Sequence, residues 1–312
     1  MAVVPPAPRA AAGSAGGRTR SRALAPVGFL LPFGVLFLAF FVAPIGYAIY
    51  QSLFKTQRSG LGFGPAKTVF SGLANYSTAL HDPAFTGSLV RVLVFMVVET
   101  PVMIIFALLL ALALDAASAR FPGFFRTMYF APYGVPGVVA SLLWGFLYVP
   151  GISPLVQLFN DAGLHVNFLG SGTVLWSIAN IVTWEFAGYN MLVLVAALKA
   201  VPRDIYEAAR IDGAGPLRIA WRIKIPLISG SLVLVTVFTI IGTLQLFNEP
   251  LVLSPLTGNI SDSYTPNLAA YTQAFTNSNY PVAAAEAVIL ALAALVLSFA
   301  FMKSMQKIGA RR

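Results

Sequence analysis

Six long apolar segments alternate along the chain with shorter polar stretches. Their predicted bounds are 27–54, 85–114, 126–148, 173–198, 225–247 and 282–305. A helix needs about 20 residues to cross the roughly 30 Å hydrocarbon core of a bilayer, so each segment is long enough. None of them alternates apolar and polar residues with period two, as the strands of a membrane barrel do. The pattern therefore predicts an all-α integral membrane protein with six transmembrane helices.

Two segments have features that could argue against a membrane-spanning helix. The first follows a basic stretch, as in a signal peptide, but it is longer than an h-region and no small-residue cleavage site ends it. The third contains Pro132 and Pro136. Neighbouring helices in a bundle can satisfy the backbone groups that a proline leaves free, so we expect both segments to be helical.

The positions of Lys and Arg orient the six helices. With the N-terminus in the cytoplasm, 16 of the 20 basic residues fall in tails and loops on the inner side. Basic residues favour cytoplasmic loops, so we expect both termini in the cytoplasm. The predicted organisation is a disordered basic tail at 1–26, a six-helix transmembrane domain at 27–305 and a short cytoplasmic tail at 306–312.

Two predicted outer segments are long. Residues 55–84 include a predicted short interfacial helix that leads into the second span through Asp82 and Pro83. Residues 249–281 are polar and contain no Lys or Arg. Loops of such length tend to be functional. Two interpretations remain open for the second segment: a docking surface for a soluble protein, or a folded plug of loop material without a partner.

The amino-acid composition excludes several classes of protein and of functional site. Hydrophobic residues make up 58% of the chain and charged residues only 10%, against about 25% charged in a soluble domain. The absence of Cys excludes disulfides and thiolate chemistry, and two His are too few for a His-rich metal centre. The net charge of +9 arises at the ends of the apolar segments rather than from a clustered patch, so nucleic acid is not expected as a partner.

The most charge-dense interruption, residues 201–224, lies on the predicted cytoplasmic side between the fourth and fifth spans. Pro202 suits the first turn of a helix, and Gly213 supplies a stop about ten residues later. Pro216 can then begin a second short helix that leads into the membrane. The segment is therefore predicted to form two short helices joined by a glycine-rich corner.

One face of the first short helix offers a contact surface. Helical spacing places these four residues together: Ile205, Ala208, Ala209 and Asp212. The two alanines permit close approach of another surface, and Glu207 offers an acceptor for a partner. Glu207 can also pair with Arg203 and Arg210 on the same helix. On the residues alone, a solvated connector whose charges only orient the protein is an equal alternative.

The spacing of this segment matches a known signature. Glu207-Ala208-Ala209 is followed by three residues, Gly213, nine further residues and the run 223–226, which is the pattern Glu-Ala-Ala, Gly, Ile-x-Leu-Pro. The chain therefore resembles the membrane subunits of binding-protein-dependent ABC importers, with Ile225 in place of the Leu. The segments around 30–54, 75–85 and 188–202 are similar to the carbohydrate branch of that family.

The resemblance implies a type I ABC importer permease fold in a bacterial plasma (inner) membrane. It implies one half of a heterodimeric pathway for a sugar or sugar-like solute. The partners it implies are a second permease subunit, two cytoplasmic ATP-binding subunits and an extracytoplasmic solute-binding protein. Residues 202–213 would be the coupling helix that docks on the ATPase. The coupling residues are Tyr206, Glu207, Ala208, Ala209, Arg210, Asp212 and Gly213.

The chain has no sequence signature of its own catalysis. A phosphate-binding loop of the form G-x-x-x-x-G-K-[S/T] is absent. No nucleophile-and-base pair, carboxylate pair or metal-ligand set stands out. We therefore predict a noncatalytic subunit that binds no cofactor or metal, with ATP and Mg²⁺ on the partner ATPase.

Polar residues within the spans are candidates for the solute pathway, because such residues usually face the bundle interior. Aromatic faces, carboxylates and amides are the groups that bind sugars. The predicted pathway residues are Trp184, Glu185, Tyr189, Asn190, Gln245 and Asn248. For each of them, interhelical hydrogen bonding is the alternative. Glu99 and Glu286 are assigned structural roles, with Arg91 as a possible partner of Glu99.

Two other functions remain open on the residues alone. A secondary transporter or channel would work without an ATPase, but such carriers often contain inverted repeats, and the two halves show none. A membrane enzyme would need a clustered acid, base or metal site. The solute itself is open among disaccharides, oligosaccharides and glycerol phosphates, and the scarcity of basic residues in the inner halves of the spans disfavours a strongly anionic one.

Overall fold

The computed structural model of the chain describes residues 29–58, 66–116 and 119–309. The predicted tail at 1–26 lies outside the described residues, and only part of the predicted tail at 306–312 is described. The domain bounds therefore stay predictions. Most of the described chain is helical, and it divides into two compact units, Met1–Tyr50 and Gln51–Arg312.

The first apolar helix, α1, runs over Phe29–Ser52. A π-helical turn at Leu38–Val42 lies within it, where the N–H of Ala43 donates to the carbonyl oxygen of Leu38. Pro44 is the next residue and has no N–H. The π-helical turn therefore comes directly before the residue that cannot donate an α-helical hydrogen bond. The first span is therefore helical, as predicted, over its described residues up to Ser52.

A β-hairpin follows α1, which the sequence analysis did not predict. Strands β1 (Phe54–Arg58) and β2 (Ala66–Phe70) pair antiparallel, with Phe54 opposite Phe70. The short helix predicted in this segment is confirmed as α2, Ala74–His81; its position at the membrane interface stays a prediction. Asn75 at its start donates hydrogen bonds to the carbonyl oxygens of Ser52 and Phe54, both at 2.7 Å. This side chain fixes the hairpin to the helix.

Helix α3, Pro83–Leu114, is the second span. Its N-terminus is capped by Asp82, whose carboxylate accepts a hydrogen bond from the N–H of Ala84 at 2.9 Å. Capping of this kind satisfies one of the N–H groups left free at a helix start. The cap at Asp82 was predicted, and it fixes the point at which the outer segment turns into the membrane.

The third predicted span is interrupted. Helix α4 (Pro122–Phe130, continued by a 3₁₀ turn at Ala131–Gly134) and helix α5 (Gly137–Tyr148) meet at an angle of 96°. Val135 between them is extended (φ −85°, ψ 126°), because the residue before a proline is disfavoured in a helix. Pro136 itself (ψ 134°) lacks the N–H that would continue the helix. The prediction of one continuous helix here was wrong.

The rest of the chain continues the bundle. Helix α6 (Pro154–Asp161) lies in an outer segment, and α7 (Val174–Ala200) is the fourth span. Two short helices follow on the predicted cytoplasmic side, α8 (Arg203–Ile211) and α9 (Pro216–Ile219), and α9 continues through a π-helical turn (Ala220–Lys224) to Ile225–Leu227.

The fifth and sixth spans close the bundle. The fifth is α10 (Ser229–Leu244) with α11 (Asn248–Leu253), separated by a break at 245–247, and a 3₁₀ turn (Ser254–Leu256) ends it. Helix α12 (Pro266–Tyr271) lies in the outer segment and runs into a π-helical turn (Thr272–Thr276), and α13 (Tyr280–Gly309) forms the sixth span. Five helices of the described chain are long and apolar enough to cross a membrane, and the bent pair makes six.

The fifth span extends to Leu256, so the predicted outer segment 249–281 begins later than expected, and its remaining part is folded against the spans. Thr257 and Asn259 donate hydrogen bonds to the carbonyl oxygen of Leu169, at 2.9 and 2.8 Å. Arg91 donates to the carbonyl oxygen of Tyr264 at 2.7 Å and lies 4.5 Å from the centre of its ring. Arg91 therefore does not pair with Glu99, as the sequence suggested, because it is held by the outer segment.

Helix α7 lies at the centre of the bundle. In its outer half, Ile178 and Ile181 are fully buried in a cluster that includes Phe95 of α3 and Leu253 of α11. In its inner half, Met191, Leu194 and Leu198 join a second cluster, together with Val235 of α10. Side chains on α7 are consequently placed between the other spans of this chain.

Candidate coupling and pathway sites

The cytoplasmic segment has the local structure that the sequence predicts. Helix α8 starts after Pro202, whose backbone is extended (φ −57°, ψ 136°). Gly213 ends it with φ +77°, and the N–H of Ala214 donates back to the carbonyl oxygen of Ala209 at 2.9 Å. A positive φ at this position favours glycine, which has no Cβ to clash. The corner between α8 and α9 therefore depends on Gly213.

Most of the predicted coupling residues are on the surface. Tyr206 is the buried residue of α8, and Ala209 is half-buried. The exposed members are Glu207, Ala208, Arg210, Asp212 and Gly213. Among the described residues, neither Arg203 nor Arg210 forms a salt bridge with Glu207. Its carboxylate is thus available to another molecule.

Large apolar side chains lie beside these polar residues. Ile211 is 87% exposed, Leu217 is 78% exposed and Trp221 is 70% exposed. Exposed apolar surface rimmed by polar groups is typical of a protein-interaction site. Docking on an ATPase subunit stays a prediction for this segment.

An ion pair connects the inner side of the segment to the second and fifth spans. Lys224 Nζ lies 2.6 Å from Asp115 Oδ2, at the C-terminal end of α3, and 5.3 Å from the centre of the Tyr206 ring. Burial raises the pKa of the Tyr206 hydroxyl, and the charge of Asp115 raises it further. Sequence reasoning missed the role of Asp115, although it is an isolated acid directly after a long apolar run. We refer to Asp115, Tyr206 and Lys224 as the inner triad.

A polar cluster forms at the break in the third span. Gly137 is the first residue of α5, and a methyl group in place of its hydrogen would lie 3.5 Å from Glu185 Oε1 and 3.5 Å from Asn248 Nδ2. The positive end of the α5 dipole faces this point and favours a carboxylate there. Glu185 is buried, and its Oε2 has no hydrogen-bond partner among the described residues. The structure therefore brings two of the predicted pathway residues together.

The predicted aromatic pathway residues pack against the same broken span. The ring of Trp184 lies edge-on to Trp144 of α5, with centroids 5.9 Å apart. Tyr189 stacks on Tyr133, in the turn after α4, at 4.9 Å. Sequence reasoning missed Tyr133, Gly137 and Trp144 because it treated the third span as one uniform apolar helix.

The remaining predicted pathway residues differ in their surroundings. Asn190 is buried and donates to Thr239 Oγ1 at 3.2 Å, with Met103 Sδ also at 3.2 Å, which is the interhelical alternative raised for these residues. Gln245 is exposed at the end of α10, and Asn248 is exposed at the start of α11. The break in the fifth span therefore presents amides at the surface of this chain. A role for these residues in transport stays a prediction.

The fourth span contacts the first half of the third at backbone level. A methyl group at Gly188 would overlap the carbonyl oxygen of Tyr129 and lie 3.0 Å from the Cα of Phe130. Only a residue without a side chain permits this approach. Gly188 therefore sets the distance between α4 and α7.

Residues 68–312 match the model of a protein family described as "Binding-protein-dependent transport system inner membrane component". The chain belongs to this family. It is a permease subunit of a binding-protein-dependent ABC importer, which confirms the noncatalytic role and the multi-pass membrane architecture predicted above. A secondary transporter or a membrane enzyme is thereby set aside.

Particular relatives and structures extend this finding. The chain is 33% identical to an sn-glycerol-3-phosphate transport system permease protein of Agrobacterium fabrum, over 85% of this chain and 88% of the relative. It is also 33% identical to a lactose transport system permease protein of Rhizobium radiobacter, over 85% of this chain and 91% of the relative.

Solved structures establish the fold. A chain of a bacterial ABC transporter involved in the import of the acidic polysaccharide alginate superposes with a TM-score of 0.77 at 20% identity, covering 92% of this chain and 97% of that one. A second structure of a bacterial alginate ABC transporter, in complex with an alginate pentasaccharide-bound periplasmic protein, gives the same TM-score. The predicted type I permease fold is confirmed.

Proposed function

We propose that this chain forms half of the pathway by which a sugar enters a bacterial cell through the plasma (inner) membrane. The observation that carries the proposal is the cluster of Glu185 and Asn248 at Gly137, with Trp184 and Trp144 close by on the same two helices. A carboxylate, an amide and aromatic faces are the groups that a sugar hydroxyl and a sugar ring need. The named relatives carry lactose and sn-glycerol-3-phosphate, which supports this class of solute.

A neutral sugar suits the cluster better than a phosphorylated one. None of the predicted pathway residues is basic, and the cation nearest the outer side of the second span, Arg91, is held by Tyr264. Glu249 lies near enough to Glu185 for their charges to interact. A negative solute would meet these carboxylates without a compensating cation.

A second permease subunit would complete the pathway. Gln245 and Asn248 are exposed on this chain although they lie at a break within a span. Polar groups in a span are costly when they face lipid, so these amides would face a pathway shared with a second, similar subunit. A solute-binding protein would deliver the sugar at the outer segments.

Two ATPase subunits would drive the cycle, and the nucleotide and Mg²⁺ would be bound there and not on this chain. The exposed face of α8 around Glu207, with Ile211 and Trp221, would dock in a groove of one ATPase subunit. Closure of the ATPases on ATP would move α8, and the inner triad would pass that movement to α3 and the fifth span.

Uptake into proteoliposomes tests the proposal. The importer with Glu185→Ala should take up sugar at least about tenfold more slowly while the subunits still co-purify, since a buried polar contact to a ligand is worth about 1.5 kcal/mol or more. Competition with a panel of neutral and phosphorylated sugars identifies the class. Normal uptake by the variant, or uptake of a non-sugar solute alone, would contradict the proposal.

A further inference from the structure

A second polar site lies on the predicted outer side of the bundle, whereas the coupling segment lies on the predicted cytoplasmic side. A partly open cavity of about 250 Å³ lies where the starts of α3 and α13 meet the outer segment. Three carboxylates line it, together with hydroxyl and amide groups: Asp82, Asp262, Glu286, Ser263, Gln273 and Asn277. None of these residues belongs to the predicted coupling or pathway sets.

Glu286 makes this cavity unusual. Its side chain is 1% exposed, and neither carboxylate oxygen has a hydrogen-bond partner among the described residues. A buried carboxylate without a partner is strongly unfavourable, so it needs either a cation or a proton. Glu286 was predicted to be structural, but within the described part of the chain its carboxylate forms no hydrogen bond that would hold helices together.

Nearby groups increase the negative charge rather than neutralise it. Asp82 lies close enough to Glu286 for the two charges to repel each other, and one of its oxygens is used by the N–H of Ala84. Within the described residues, the three cavity carboxylates form no salt bridge. Arg91 is bound to Tyr264, and His81 Nδ1 lies 2.8 Å from the carbonyl oxygen of Ser77.

We propose that the cavity binds one hydrated divalent cation, Mg²⁺ or Ca²⁺, between Glu286 and Asp82. Oxygen ligands suit these ions, and Mg²⁺ often uses one or two carboxylates while keeping several waters. With two carboxylate ligands, four waters at about 30 Å³ each occupy roughly 120 Å³, which this cavity accommodates. No three acidic, His or Cys side chains of the described chain converge on one metal position, so the ion keeps part of its water shell.

The bound ion would join three parts of the outer surface: the start of the second span at Asp82, the start of the sixth at Glu286 and the segment around Asp262. It acts on the shape of the outer face and not on the solute pathway. The inference is therefore independent of which solute the importer carries.

Equilibrium dialysis of the purified full-length chain, with its co-purified subunits and without nucleotide, measures binding directly. After EDTA treatment, ⁴⁵Ca²⁺ should bind at one ion per chain, and Mg²⁺ should compete for it. Thermal unfolding should shift to higher temperature when either ion is added at constant ionic strength. Glu286→Gln should abolish the binding and the shift, while Asp161→Asn, which changes an exposed acid on α6, should leave both unchanged.

Two results would overturn the proposal. The first is absence of bound ion on the wild-type chain at millimolar concentration, which would make Glu286 a buried protonated acid. The second is undiminished binding by Glu286→Gln. Dialysis of the wild-type chain decides the matter even if the Glu286→Gln variant fails to assemble.

Discussion

Breaking the ion pair of the inner triad should uncouple ATP hydrolysis from transport. Lys224 and Asp115 are 2.6 Å apart, and their side chains are only 14% and 16% exposed. At an effective dielectric constant of about 20, unit charges at this distance attract by about 6 kcal/mol, of which desolvation removes the larger part. Lys224→Met leaves Asp115 without its partner, which should cost about 2–3 kcal/mol.

We expect the lost attraction to weaken the mechanical connection through which α8 moves α3 and the fifth span. We therefore expect Lys224→Met to hydrolyse more ATP for each sugar imported, by a factor of several, in proteoliposomes that contain the whole importer. The exchanged pair Asp115→Lys with Lys224→Asp should recover part of the coupling, since the attraction is restored in reverse. An exposed basic residue near the end of α13, changed as Lys303→Met, is the matched control.

The ratio of ATP hydrolysed to sugar imported is the deciding measurement. If Lys224→Met assembles and keeps the wild-type ratio, the ion pair does not transmit movement. If both rates fall together while the ratio is unchanged, the pair only stabilises the fold. Either result would refute the reasoning from the inner triad.

Two further substitutions test other contacts. Glu207→Ala should release the ATPase or remove its stimulation by the binding protein, which co-purification and ATPase assays detect; an intact complex with normal uptake would count against the coupling surface. Gly188→Ala should destabilise the protein by about 3 kcal/mol or more, because the new methyl group overlaps the carbonyl oxygen of Tyr129. Gly87→Ala, a helical glycine with open space around it, should be neutral or slightly stabilising, and equal unfolding temperatures for the two variants would disprove the close contact.

The coupling segment could be predicted from the sequence because its rules are local. Pro202 and Gly213 set the start and end of α8 through backbone conformation alone, and both act as expected. The fixed spacing from Glu207 to Pro226 indicated the kind of partner, an ATPase subunit, through the resemblance to the importer family. The side chain of Tyr206 was placed with the surface residues, but it is buried, because only tertiary packing against Lys224 decides which way it points.

The pathway cluster could be predicted only in part. Glu185 and Asn248 were chosen one by one for their polarity within apolar segments, and the structure brings them to one point. Gly137, which lies beside both side chains, was missed because its position depends on the bend at Pro136 and on the approach of two helices that are distant in sequence. The β-hairpin at Phe54–Arg58 and Ala66–Phe70 was missed for a similar reason, since a single two-stranded hairpin leaves little periodicity to detect.

The contact at Gly188 has a mechanical consequence for the transport cycle. Two helices whose backbones touch cannot slide past each other, since any shift along the axis would drive the Tyr129 carbonyl into a side chain of α7. Helices α4 and α7 must then travel as one rigid body when the pathway changes its opening. The outer half of the third span belongs to the same body, since the hydroxyl of Tyr148 at the end of α5 donates to the carbonyl oxygen of Ser177 and accepts from Asn180 Nδ2, both on α7. We therefore expect the third and fourth spans to reorient as one unit, in which the 96° bend at Pro136 is kept through the cycle.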